Sequence, residues 1–210
     1  MINSPVLILL AGGKSTRMGS PKGLLDYHGT LWILEQISRY KYVENPKVVI
    51  GLGYDYKSYF KAISWFYKAK DDFYLYDGVE VRVVINRQPE FGAFSTLLTA
   101  LNKINKKTTV LIQPVDVPLL NTKDLRSIIN KNNDIIIPKC KGNNGHPVKL
   151  LPQFWNTLLT VDKSSKKARL NLQIKVQDSS TITYVKVSDK AVYQNINTSK
   201  DWNNYLKNVL

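Results

Sequence analysis

The 210-residue chain has one cysteine, Cys140, so it can form no intrachain disulfide. No Cys or His stands beside Cys140 at metal-ligand spacing. A reducing compartment suits such a thiol. The chain also lacks any run of the twenty or so apolar residues that a membrane helix needs. Its N-terminus has neither the basic flank nor the apolar core of a secretory leader. A soluble, cytoplasmic protein without a membrane partner is therefore expected. Acidic residues are scarce: 16 Asp and Glu face 30 Lys and Arg, giving a formal charge of +14. That balance favours anionic partners. No basic run reaches five or six consecutive charges, and the densest group (Lys163, Lys166, Lys167, Arg169) is interrupted by serines and an alanine. A nucleic-acid partner is accordingly not expected. Repeats, low-complexity segments and linker-like stretches are absent too. With 43% hydrophobic residues, the chain can bury one sizeable core, and a single domain over 1–210 is expected.

What is present is an alternation of strand and helix patterns. Val6 to Leu10 is an unbroken apolar run that reads as a strand buried on both faces. Leu31 to Tyr40 has helical spacing, and Lys47 to Leu52 is a second β-branched run, which together make a βαβ unit. Tyr56 to Tyr67 carries an aromatic stripe at spacings of three and four, predicting one continuous helix packed on the sheet. Lys70 to Gly78, acidic and aromatic, reads as a loop. Strands are predicted at Val81 to Ile85, Thr108 to Gln113, Asp134 to Pro138, Thr181 to Val187 and Ala191 to Tyr193. Helices are predicted from Gly92 through Ile104, from an Asn121 cap to Ile129, and over Phe154 to Leu159.

The first strand runs into Gly12-Gly13-Lys14-Ser15-Thr16-Arg17-Met18-Gly19, with Lys22 beyond Pro21. A short glycine-bounded loop with three cations and two hydroxyls can cradle a polyphosphate, since bare backbone approaches an anion closely and Arg17 and Lys22 neutralise its charge. Two familiar phosphate loops are excluded. The first glycine of G-x-x-x-x-G-K-[ST] would fall at Ile8, and G-x-G-x-x-G fails because Lys14 and Ser15 occupy the required glycine positions. A second candidate site residue is Asp116, set just past a buried strand between Pro114 and Pro118. Such a rigidly placed carboxylate suits a hard divalent cation that bridges phosphate oxygens.

The pattern G-G-x-S-x-R-M-G-x-x-K resembles the signature loop of nucleotidyltransferases, most closely those acting on the molybdenum cofactor. Asp116-Val117-Pro118-Leu119-Leu120 matches the D-x-P-L-L of that family, and Asn195-Ile196-Asn197-Thr198-Ser199-Lys200-Asp201 resembles its N-x-N-T-x-x-D, where Thr198 and Asp201 can form a capping box. The resemblance implies a Rossmann-like three-layer α/β/α fold with a mainly parallel sheet. It implies transfer of a nucleoside monophosphate from a nucleoside triphosphate to a phosphorylated acceptor, molybdopterin above all, with Mg²⁺ on Asp116 and release of pyrophosphate. Leu10, Ala11, Gly12, Gly13, Lys14, Ser15, Thr16, Arg17 and Lys22 would then hold the nucleotide, with Arg17, Lys22 and Asp116 in catalysis.

Other positions carry two readings each. In the resembled family an Asn after the third strand and a Gly and Ser opening the next helix contact the nucleoside. Asn86, Gly92 and Ser95 match them, although a strand-end asparagine and a helix cap need no ligand. Gly145-His146-Pro147-Val148 resembles a motif on the acceptor side of the cytidylyl branch, while a His before Pro also suits a strand entry. Asn195 and Asn197 could reach metal or acceptor. Leu10-Ala11-Gly12-Gly13 resembles the guanylyl branch and leaves room for a purine, so GTP is favoured, with CTP as the competitor. An enzyme of the same fold acting on a sugar phosphate or methylerythritol phosphate, and a nucleotide-binding module without turnover, are the alternative functions.

Overall fold

The computed structural model describes residues 4–208. Its centre is a nine-stranded mixed sheet. In chain order the elements are β1 (Val6–Ala11), a two-stranded ribbon of β2 (Asp26–Tyr27) and β3 (Thr30–Leu31), α1 (Trp32–Ser38), β4 (Lys47–Leu52), α2 (Tyr56–Ala62), α3 (Phe66–Asp71), β5 (Tyr74–Tyr76), β6 (Val79–Ile85) and α4 (Gly92–Leu101). There follow β7 (Val110–Pro114), α5 (Thr122–Ile129), β8 (Ile135–Cys140), β9 (Asn143–Asn144), β10 (Val148–Leu150), α6 (Pro152–Leu158), α7 (Leu170–Lys175), β11 (Ile182–Lys186) and α8 (Ser199–Asn208). The order across the sheet is β11-β8-β10-β7-β1-β4-β6-β5, with β9 paired to β8. Strands β7, β1, β4 and β6 are mutually parallel, as are β11 and β8, whereas β10 runs antiparallel between β7 and β8. The expected mainly parallel α/β architecture is therefore the one observed.

Strand β1 shows why an unbroken apolar run sits at the centre. Leu7, Leu9 and Ala11 enter one core cluster together with Trp32 of α1, Tyr59 of α2, Phe66 of α3, Leu125 of α5 and Trp202 of α8. Val6 and Ile8 enter the other, with Phe94 of α4, Trp155 of α6 and Ile174 of α7. Successive side chains of a strand point to opposite faces, so a strand covered by helices on both sides must be apolar throughout.

Several boundaries differ from the sequence-based expectation. The aromatic stripe over Tyr56 to Tyr67 is two helices, not one. The chain breaks at Ile63-Ser64-Trp65, and Trp65 stacks on Tyr74 and Tyr76 with ring centroids 4.9 and 5.0 Å apart. Those two tyrosines belong to β5, so the expected loop over Lys70 to Gly78 contains an edge strand. The hairpin signal was Asp77-Gly78, both at positive φ (47° and 78°) as a primed two-residue turn requires. Ala191 to Tyr193 is a 3₁₀ turn rather than a strand, and the strand expected at Asp134 to Pro138 runs on to Cys140 and turns back through Asn143 and Asn144 as the β8–β9 hairpin. Helix α7 had no sequence-based counterpart. The Asn121 cap stands, its side chain accepting from the Asp124 amide at 3.0 Å. The capping box at Thr198 and Asp201 stands too.

Candidate active site

The carboxyl ends of β7, β1, β4 and β6 open into a cavity of about 540 Å³. Ligands in open α/β sheets bind at this edge. Its wall holds Leu10 to Arg17, Lys22, Gly92, Asp116 and Asn197, so the loop after β1, the carboxylate after β7 and the segment before α8 meet although they are far apart in the chain.

The two glycines of the loop do different things. A Cβ on Gly12 would lie 2.6 Å from Thr96 Oγ1, and one on Gly53 would lie 2.6 Å from Gly12 O. Gly12 is thus the close-packing residue between β1, the end of β4 and α4. Gly13 has no neighbour within 4 Å of such a position and faces the open cavity. Beyond it Ser15 takes a left-handed conformation (φ 52°), and its Oγ accepts from the Lys22 amide at 3.2 Å, drawing Lys22 back over the loop. Among the described residues the amides of Gly13, Lys14 and Ser15 donate to no backbone carbonyl. Free amides around an exposed concavity are the donors an anion needs. Lys14 Nζ stands 4.8 Å over the Tyr54 ring, and Arg17 lies exposed on the rim.

Lys22 Nζ donates to Asp116 Oδ2 at 2.8 Å and to Asn197 Oδ1 at 2.9 Å. Asn197 is delivered there by two anchors: the Ile196 amide donates to the Asp116 carbonyl at 2.8 Å, and the Asn197 amide donates to Asp201 Oδ2 at 3.1 Å. A carboxylate and an amide oxygen thus converge on one cation position. Among the described residues no three His, Cys, Asp or Glu side chains cluster at metal distance. That donor set does not cage an ion, but it fits Mg²⁺ or Mn²⁺, which keep several waters and take one or two protein oxygens plus substrate phosphates.

Four expected site residues are not brought into this cavity. Asn86 is buried, its amide group spent on Ser95 Oγ (2.7 Å), Thr96 Oγ1 (3.1 Å) and the Gln88 amide (2.9 Å). Asn86 and Ser95 therefore tie β6 to α4 behind the wall. His146 is partly buried, with Nδ1 3.3 Å from Ile112 O and its amide donating to Val192 O at 2.9 Å. Burial lowers its pKa, opposed by the Ile112 carbonyl and the Asp116 charge. Asn195 is exposed and bonds the Tyr193 carbonyl. Gly145 of the same motif has a packing reason: a Cβ there would lie 1.7 Å from Val192 O.

Residues the sequence did not single out complete the site. Tyr59 on α2 is buried, accepts the Gly23 amide at 3.2 Å and lines the cavity. Asp124 Oδ2 accepts from the Ser188 amide and hydroxyl (3.0 Å each) and the Asp189 amide (2.8 Å), holding the strap that leads to Asn197. Glu90, exposed, enters the wall next to Pro89.

A mainly parallel sheet whose central strand ends in a cationic, glycine-bounded loop paired with the Asp116 carboxylate belongs to the nucleotidyltransferase class. The chain is a member of the MobA-like NTP transferase family, whose domain model matches residues 7–176. It is 24% identical over 203 residues to the molybdenum cofactor guanylyltransferase of Xanthomonas euvesicatoria pv. vesicatoria, covering 93% of this chain and 90% of that one. The fold matches the manganese complex of Rv0371C from Mycobacterium tuberculosis H37Rv with a TM-score of 0.66 and 19% identity, over 98% and 99% of the two chains. It also matches the molybdopterin-guanine dinucleotide biosynthesis protein A of Archaeoglobus fulgidus with a TM-score of 0.64 and 16% identity, over 97% and 98%. Among the described residues no helix is long and apolar enough to cross a membrane.

Proposed function

We propose that this enzyme transfers GMP from GTP to a phosphorylated acceptor, molybdopterin in the first instance, and releases pyrophosphate. The observation that carries the reading is the meeting of Lys22, Asp116 and Asn197 at the mouth of a loop with free amides. An oxygen of the acceptor phosphate attacks the α-phosphorus, and the bond from that phosphorus to the bridging β-oxygen breaks. The attacking phosphate is already ionised, so no protein nucleophile is required, and the protein acts by positioning and charge. Loop amides and Arg17 bind the phosphates. Lys22, at the wall of the same cavity, neutralises charge on the departing phosphate oxygens. Asp116 and Asn197 would hold Mg²⁺, which would supply Lewis-acid charge at the reacting phosphates. The Mycobacterium tuberculosis structure with manganese supports a divalent cation in this fold.

GTP is favoured by the Glu90 side of the cavity. Asp116 follows β7 and Glu90 follows β6, with β1 and β4 between those strands, and both line the cavity. With the phosphates on the loop amides and toward Asp116, the base extends toward Tyr54 and Glu90. A carboxylate is acceptor-only, and guanine offers it two adjacent donors on N1 and N2. Adenine and uracil present carbonyl or ring-nitrogen lone pairs beside their donors, which a carboxylate repels. The name of the Xanthomonas relative points the same way.

The test is a thermal shift with ATP, GTP, CTP and UTP in Mg²⁺, where equal charge makes differences report on the base. GTP is expected to give the largest shift; CTP in first place would reassign the enzyme to cytidylyl transfer, and no shift with any would defeat the nucleotide reading. Pyrophosphate release with molybdopterin against a panel of sugar phosphates then identifies the acceptor.

A further inference from the structure

The loop that carries Asp116 is clamped by two side chains of a helix whose residues do not line the cavity. Trp32 and Gln36 lie one turn apart on α1 and are 1% and 0% exposed. Trp32 Nε1 donates to Val115 O at 2.7 Å. Gln36 Nε2 donates to Val117 O at 2.8 Å, and its Oε1 accepts from the Leu119 amide at 2.8 Å. The carbonyls on both sides of Asp116 are therefore held by α1. The same helix supports the other half of the site: the Trp32 amide donates to Leu25 O at 2.8 Å, and Ile33 Cβ lies 3.2 Å from where a Cβ on Gly23 would be. One rigid element thus touches both the turn that bears Lys22 and the loop that bears Asp116.

A glutamine at a fully buried helix position costs desolvation that an apolar residue would avoid, unless both ends of its amide are used. Here both ends go to the Asp116 loop. Gln113 also donates to Val117 O, but its own Oε1 is buried without a partner among the described residues, so it does not serve the Leu119 amide. We propose that Gln36 is the positioning residue of the reaction: through α1 it fixes the Asp116 carboxylate relative to Lys22 and to the cation that Asp116 holds. The proposal rests on Asp116 being the cation ligand. Its physical reason is that the stretch from Asp116 to Leu119 lies outside the sheet ladder, and a displacement on the order of 1 Å at such a group can cost a hundredfold.

The test uses Gln36→Met, close in volume and apolar, with the full chain. Three quantities are measured: the urea midpoint, GTP affinity without divalent cation, and Mn²⁺ affinity in the presence of GTP by electron paramagnetic resonance. Expected are a folded protein, GTP affinity within about twofold of wild type because the Gly13 to Arg17 loop is untouched, and Mn²⁺ affinity weakened about tenfold, the lower end of what supporting residues of metal sites contribute. A general loosening would weaken GTP and Mn²⁺ together and would overturn the proposal, as would a folded variant with wild-type Mn²⁺ affinity. If Gln36→Met does not fold, Trp32→Phe decides. It keeps a ring but removes the donor to Val115 O, and it must weaken Mn²⁺ several-fold with GTP unchanged or the clamp is wrong. Asp116→Asn run alongside separates the two levels. Unchanged Mn²⁺ affinity there removes the metal reading itself, whereas lost affinity there with wild-type affinity in Gln36→Met removes only the role of Gln36.

Discussion

Lys22 and Asp116 stand 94 positions apart in the chain and form a 2.8 Å ion pair at the edge of the cavity. Their side chains are 14% and 27% exposed. Asn197 joins them through the same ammonium. The pair is the point at which the loop after β1, the loop after β7 and the C-terminal strap are brought to one place.

Replacing Lys22 with Ala is therefore expected to cut turnover about a hundredfold or more, the scale of one lost charge contact at a reacting phosphate. Circular dichroism should remain that of the wild type, because the backbone contact from the Lys22 amide to Ser15 survives. Wild-type turnover in Lys22→Ala would remove the cradle assignment. Arg17→Ala should fall in the same direction by a smaller factor, since Arg17 stands on the rim.

Asp116→Asn should abolish turnover, and chelation of the wild type should do the same, since a neutral amide is a far weaker ligand for a hard cation. If chelator stops the reaction while Asp116→Asn still turns over, Asn197 is the first residue to replace next.

Glu90→Gln should weaken GTP about tenfold to a hundredfold, the range of one charge-assisted hydrogen bond, and leave ATP and UTP binding nearly unchanged. Isothermal titration with the four triphosphates measures this. Equal losses for all four would show that Glu90 does not read the base.

Gly145→Ala should destabilise severely and Gly13→Ala should not. The first places a methyl 1.7 Å from the Val192 carbonyl, the second in open space. Urea denaturation gives the stabilities. Gly13→Ala should instead raise the KM for the nucleotide, because the methyl enters the cavity.

Asp124 supplies a pH test. Burial raises its pKa, but the Asp189 amide, the Ser188 hydroxyl and amide and Asn121 outweigh it and hold it below the ordinary carboxylate range. A carboxylate with a lowered folded pKa contributes stability that is complete above the unfolded value and is lost as pH falls through the folded one. Asp124→Asn should cost about 1–3 kcal/mol at pH 7. The gap from wild type should narrow below about pH 4, read from urea midpoints at pH 7 and pH 3. A gap that stays constant across that range would assign the loss to shape rather than charge.

Much of this enzyme was legible along the chain because the informative interactions are local. The apolar run of β1, the glycine-bounded loop, the Asn121 cap and the Thr198–Asp201 box depend on neighbours within a few positions, and periodicity or spacing reports them directly. The family pattern likewise named Lys22, Asp116 and Asn197. What it did not separate was Gly12 from Gly13, since their difference lies in Thr96 and open space, or the Asn86–Ser95 pair, whose polar groups turn toward each other. The break in the aromatic stripe followed from Trp65 stacking on strand β5, a contact invisible to helical periodicity.

Local chemistry and pattern, then, determined the class of reaction and the residues that carry charge. Which of those residues share a cavity, that Gln36 and Trp32 hold the Asp116 loop, and that Glu90 enters the same cavity wall as Asp116 were decided only by the tertiary structure. The order β7-β1-β4-β6 sets which loops become neighbours, and hydrogen bonds between residues some eighty positions apart leave no periodic trace in the sequence.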